Sequence, residues 1–183
     1  ISLFIKKKKY KLFIPKKGKY KFKKNLHNVI YCIGNHNWTK DPKATYDSHL
    51  GLVREIIFNN KFDSFTLLST TRLYFANSEG KTSENDPINI NSNNKNFLYN
   101  SLKIAAENLC LALNNKKIKV VRMSNLYGDN FTNQTYLLPT LIRNSIKNKK
   151  INVYISKNST KDFIYVDDAF DVLLKIIKKG KHS

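Results

Sequence analysis

The chain has 183 residues, 41% of them hydrophobic, and a formal charge of +20 from 33 Lys and Arg against 13 Asp and Glu. That length and apolar share support a folded domain with a core and exclude a disordered polar chain. No apolar run nears the roughly 20 residues of a membrane span, and the lysine-rich start lacks the apolar stretch and cleavage site of a signal peptide, so a cytoplasmic protein with no membrane partner is expected.

Charge of this size raises nucleic acid as a partner, because clustered lysines neutralise phosphates and release counterions. The densest run, residues 6–24, interleaves lysines with aromatics. Yet Lys, Asn, Ile, Phe and Tyr are enriched along the whole chain, and no helix-turn-helix, zinc-finger or RNP-like pattern accompanies them. Compositional bias is therefore preferred over a nucleic-acid partner.

Short apolar strands alternate with helical runs, which is the pattern of a parallel sheet covered by helices. In chain order the pattern predicts strands at Lys11–Ile14, Val29–Ile33, Phe65–Leu68 and Ile118–Arg122, with helices at Ala44–Phe58, Tyr99–Asn114 and Leu138–Lys147. Asn85–Asn96, dense in Asn, Ser and Pro, reads as a loop. Beyond Arg122 the pattern loosens. A short strand near Val153–Ile155 is expected there, and Asp167 or Asp168 occupies the N-cap position before the apolar periodic run Ala169, Val172, Leu173, Ile176. Cys32 and Cys110 lack metal-ligand spacing and sit in apolar segments, so buried free thiols and no metal are expected.

Ligands of open α/β sheets collect at the carboxyl ends of the strands. Gly34–Lys40, Ser69–Arg72 and Met123–Gly128 lie at such ends. The helix opening at Leu98 adds Tyr99 and Lys103, one turn apart and on one face. An ammonium beside a phenol favours the phenolate and lowers its pKa, which is a way to obtain a base near neutral pH.

Several segments, met in the same order, resemble the extended short-chain dehydrogenase/reductase family, the NAD-dependent epimerase/dehydratases acting on nucleotide sugars. VIYCIGN at 29–35 looks like the strand ending beside the nicotinamide, LLSTTRLY at 67–74 like the strand bearing the catalytic Ser or Thr, and YNSLK at 99–103 is the YxxxK signature. RMSNLYG at 122–128 is similar to RxxNxYG, and KDFIYVDDA at 161–169 to RDFIxVDD. The resemblance implies hydride transfer between a sugar carbon and a nicotinamide. Tyr99 would be the acid/base, Lys103 would depress its pKa and hold the nicotinamide ribose beside Gly34, and Thr70 would polarise the substrate, with Ser69 and Thr71 as neighbouring alternatives. Asn125 and Thr71 would contact the substrate, and Lys161, standing where the family has Arg, the diphosphate. Lys16 and Lys17 occupy the place of the acidic residue that binds the ribose 2′-hydroxyl, and a basic residue there favours NADP over NAD.

No TGxxGxxG turn, the element that brings backbone N–H groups to the pyrophosphate, occurs in the sequence. The expectation is an N-terminally truncated α/β chain. Residues 1–122 would form a partial Rossmann-like dinucleotide-binding domain with helices on both faces of a parallel sheet. Residues 123–183 would form a partial substrate-binding region, the start of a small C-terminal lobe, interleaved with that sheet. The expected activity is that of an NAD(P)-dependent nucleotide-sugar epimerase or reductase, inactive as this fragment and related to enzymes that often form homodimers. Dehydration is disfavoured, because Thr71 and Arg72 stand where 4,6-dehydratases carry Asp-Glu. The competing class is a non-catalytic basic binding protein on a degenerate Rossmann scaffold.

Overall fold

A computed structural model describes residues 10–15, 22, 25–35, 37–76, 82–128, 136–149, 151, 153 and 160–179. They fall into two compact units, one drawn mainly from Ile14–Met123 and the other mainly from Ser124–Lys175.

The first unit is built on a three-stranded sheet in the order β1-β2-β3, with β1 at Asn28–Tyr31, β2 at Ser64–Thr70 and β3 at Ile118–Met123. Both pairings are parallel, with Val29 opposite Phe65 and Leu67 opposite Val120. β2 is the middle strand, and its first six residues are buried, as its unbroken run of apolar and small residues requires of a strand covered on both faces. Tyr31, Phe65, Leu67 and Ile118 join Val53, Ile56, Ala106 and Cys110 from the helices in one core cluster. The fold is a Rossmann-like parallel sheet with packed helices.

Between β1 and β2 the chain makes one long helical passage of three parts. Asp41 starts α1 (Pro42–Tyr46) by accepting the Ala44 N–H at 2.9 Å, with Pro42 in the first turn where its missing N–H costs nothing. A π-helical turn follows at Asp47–Gly51, and α2 runs from Leu52 to Asn59. The wider π turn keeps Thr45, His49 and Val53, spaced by four, on one buried line, and Ile56 continues it at a spacing of three once the α-helix resumes. The single helix expected at Ala44–Phe58 is thus a composite. α3, Leu98–Ala112, buries Leu102, Lys103, Ala106, Glu107 and Cys110.

In the second unit β4 (Asn125–Tyr127) pairs parallel with β5 (Phe163–Tyr165). α4 spans Leu137–Asn148, and α5 spans Val166–Lys179. Asp167 and Asp168 are the second and third residues of α5, inside its first turn rather than at the expected cap, where negative charge complements the helix dipole. Ala169, Phe170 and Leu173 are its buried residues.

Two expectations need correction. Tyr10–Pro15 forms no strand, and Phe13 and Ile14 are exposed there; the apolar run has no neighbouring strand to complete its hydrogen bonds among the described residues. Cys32 is exposed and only Cys110 is buried, because Tyr31 turns into the core and its successor points away from it. Of the short strand expected near Val153–Ile155, residues 154–155 fall outside the described residues.

Candidate functional site

The carboxyl ends of β1 and β2 and the first turns of α3 supply the chemistry. α3 is entered through a short 3-10 turn at Lys95–Phe97, where Asn94 accepts the Asn96 N–H, and this sets Tyr99 and Lys103 one turn apart. The Lys103 side chain is buried and its Nζ donates to the Leu68 carbonyl of β2 at 2.8 Å. Burial pulls its pKa down to about 8, against the opposing pull of Glu107. One hydrogen bond leaves an ammonium with two further donors.

Thr70 ends β2 half-buried, and its Oγ1 accepts the Arg72 N–H at 3.1 Å. The hydroxyl hydrogen stays free to donate. Its neighbour Ser69 is buried with no hydrogen-bond partner for Oγ among the described residues. Thr71 opens the 3-10 turn Thr71–Ala76.

The Tyr99 ring packs among aromatic and cationic groups. It stands edge-on to His49 with centroids 4.9 Å apart, tilts against Trp38 at 5.3 Å, and lies 6.0 Å from the Arg72 guanidinium, which itself stacks 5.1 Å over Trp38. The loop after β1 that carries Trp38 is shaped by Asn35, whose side-chain oxygen accepts the Asn37 N–H at 3.0 Å. His49 Nε2 lies 3.1 Å from the Asn35 N–H, and burial lowers the His49 pKa to about 4. Gly34 is required by this packing, since a Cβ there would come within 2.7 Å of His49 Cε1.

A second polar cluster secures α3 to the sheet. Arg122, at the end of β3, meets both carboxylate oxygens of Glu107, with Nη2 to Oε2 at 2.8 Å and Nε to Oε1 at 3.3 Å. Its Nη1 donates to Tyr74 Oη at 2.6 Å and to the Glu84 carbonyl at 3.1 Å. Glu107 holds the guanidinium pKa above its ordinary value. Arg122 thereby ties the helix bearing Tyr99 and Lys103 to the turn that follows Thr70.

This geometry has recognisable relatives. Residues 19–183 match the NAD dependent epimerase/dehydratase family. The chain belongs to that family. It is 28% identical over 164 residues to a dTDP-D-glucose 4,6-dehydratase of Dictyostelium discoideum, a match covering 82% of this chain and 38% of that protein. Among solved structures, a UDP-glucuronic acid 4-epimerase from Bacillus cereus, in complex with UDP-glucuronic acid and NAD, superposes with a TM-score of 0.65 at 20% identity over 82% of this chain and 49% of its own. A dTDP-glucose 4,6-dehydratase from Bacillus anthracis with NAD gives 0.61 at 23% identity, covering 86% of this chain and 48% of the other. The chain thus spans about half the length of these structures and less of the curated relative.

Of the residues singled out from the sequence of this family member, Tyr99, Lys103, Thr70, Thr71 and Gly34 belong to the first unit, and Asn125 and Lys161 to the second. Asn125 donates its side-chain amide to the Asp162 carbonyl at 3.1 Å, and Lys161 is exposed. Lys16 and Lys17 lie outside the described residues. Sequence reasoning missed His49, Trp38 and Glu107. For Glu107 a signal existed: it continues the Tyr99, Lys103 line by one more step of four, onto a face that buries charge only when it is paired.

Proposed function

We propose that the chain carries the catalytic half of an NAD-dependent enzyme that oxidises and reduces a nucleotide-linked sugar, as an epimerase or reductase. The observation that carries this reading is the buried Lys103 ammonium, one helical turn from Tyr99 and bonded to the strand that ends at Thr70. A buried cation with unused donors fits the hydroxyls of a nicotinamide ribose, and the orphaned Ser69 Oγ marks the same strand end as a place for a polar ligand. The relatives named with NAD support that cofactor; the preference for NADP rested on Lys16 and Lys17 and gains nothing from them.

In this reading the bound dinucleotide supplies the hydride acceptor and donor. Tyr99 Oη takes the proton of the reacting sugar hydroxyl as its carbon is oxidised and returns it on reduction. Thr70 Oγ1, its lone pair already engaged by the Arg72 N–H, donates to the same sugar oxygen. Lys103 stabilises the phenolate and holds the ribose. Asn125, Thr71 and Lys161 remain proposed substrate contacts, and a cytoplasmic homodimer the proposed setting; no helix among the described residues is long and apolar enough to cross a membrane.

The test uses this chain beside a longer version bearing a TGxxGxxG turn, which these 183 residues do not contain. The short chain should bind NAD weakly in isothermal titration, whereas the longer one should bind it and turn over a nucleotide sugar. In the longer version Tyr99→Phe should lower kcat by about 10²–10⁴-fold, the range of general acid/base catalysis, and leave NAD affinity near the parent value. Lys103→Ala should lower both. Unimpaired turnover in Tyr99→Phe would overturn the role given to Tyr99, and binding of nucleic acid with no turnover would favour the non-catalytic basic binder.

A further inference from the structure

Beside Tyr99 the first unit holds a cavity of about 250 Å³ lined by Trp38, Arg72, Phe75, Asn94, Phe97 and Asn100, among others. It is smaller than the roughly 300–1,000 Å³ of pockets that take a drug-sized ligand, and suits one sugar ring better than a whole nucleotide sugar. Two of its polar groups are unspent. Asn100 is 3% exposed, and its side-chain oxygen has no hydrogen-bond partner among the described residues. Arg72 holds its guanidinium carbon 5.1 Å over the Trp38 ring and 6.0 Å from the Tyr99 ring, and no carboxylate pairs with it among the described residues. A guanidinium beside aromatic rings with no anion of its own still offers the planar fork of N–H donors that matches a carboxylate.

We propose that this pocket recognises a carboxylate on the sugar itself, so that the substrate class is a nucleotide-linked sugar acid. The proposal rests on the reading of Tyr99 as the acid/base at the reacting sugar. Arg72 follows Thr70 by two residues and lies 6.0 Å from the Tyr99 ring, which puts its positive charge beside the sugar that reacts. Trp38 and Phe97 offer apolar surface to the ring, Asn100 accepts from a sugar hydroxyl, and Arg72 takes the carboxylate in a bidentate grip. A neutral hexose would leave the guanidinium without an anionic partner in that position, and this separates the two substrates.

The experiment measures binding of UDP-glucuronic acid, UDP-glucose, their dTDP counterparts and the free nucleoside diphosphates to the NAD-loaded longer version, together with turnover. The sugar acid should bind about 10–100-fold more tightly than the neutral sugar on the same nucleotide, the worth of hydrogen bonds to a charged group. Arg72→Gln should collapse that ratio towards one, and Arg72→Lys should keep part of it. A merely structural role for Arg72 would weaken all ligands together and leave the ratio in place, which overturns the proposal. So does a parent protein that turns over both sugars through Tyr99 without preference, while the reading of Tyr99 stands. If Arg72→Gln weakens the free nucleoside diphosphates as much as the sugar acids, the anion held is the diphosphate and the proposal fails. Absence of Tyr99-dependent turnover on any sugar overturns the functional reading and the proposal with it.

Discussion

The two polar corners of α3 are built on opposite terms. At its amino-terminal corner Lys103 is buried against a neutral carbonyl, and Ser69 Oγ, Asn100 Oδ1 and His49 Nδ1 are buried without hydrogen-bond partners among the described residues. Towards the carboxyl end, Glu107 faces a full guanidinium and Arg122 meets a carboxylate, a phenol and a carbonyl. Under-satisfied buried polar groups cost stability, so a fold keeps them where a ligand is to complete them, and pairs them fully where their task is to hold. On the proposed function, the difference separates the working corner from its support within one helix of 15 residues.

The comparison can be broken most sharply at the paired corner. Arg122→Met leaves the Glu107 carboxylate buried alone and should lower the unfolding free energy by about 3–5 kcal/mol. Adding Glu107→Met should restore most of it, as urea titrations of both variants would show. A loss under about 1 kcal/mol would make this pair ordinary surface decoration.

At the working corner the signature is pH dependence. The His49 pKa is about 4 in the folded chain against 6.5 when unfolded. The unfolded state therefore takes up its proton first, and stability falls as pH drops from 6.5 towards 4. The full loss is on the order of 3 kcal/mol. His49→Gln should remove that slope from a series of thermal melts. Lys103 has the same sign in a higher pH window: with a folded pKa of about 8 against 10.5, its penalty is complete below 8, and stability rises as pH climbs from 8 to 10.5. Lys103→Met should stabilise the chain at pH 7 by about 1–2 kcal/mol, after allowance for the Leu68 carbonyl that loses its donor, and should flatten that rise. The smallest effect belongs to Tyr74→Phe, which removes one acceptor from an already paired Arg122 and should cost about 1 kcal/mol in the same urea titrations.

What could be read from the sequence follows from how local each signal was. β2, β3 and α3 announced themselves through unbroken apolar runs and helical spacing, and Tyr99 with Lys103 through a separation of four. The paired corner stayed hidden because Glu107 and Arg122 meet only through the register of helix on sheet. Trp38 and Arg72 likewise join across 34 positions, on loops whose course no periodicity describes. The π turn was illegible because Thr45, His49 and Val53 are spaced by four across it, which reads as an ordinary helix. Lys11–Ile14 erred in the other direction. Its apolar run Leu12, Phe13, Ile14 suits a strand, but a strand exists only beside another.

Gly34 and His49 share one volume, since the first carbon of any side chain at 34 would enter the imidazole. In evolutionary terms the two positions are a single unit of change. A side chain can enter at 34 only after the ring at 49 has been exchanged for something smaller, so the order of substitutions along a lineage is fixed by packing. A survey of single variants would score position 34 as closed, although a door to it stands 15 residues further along the chain.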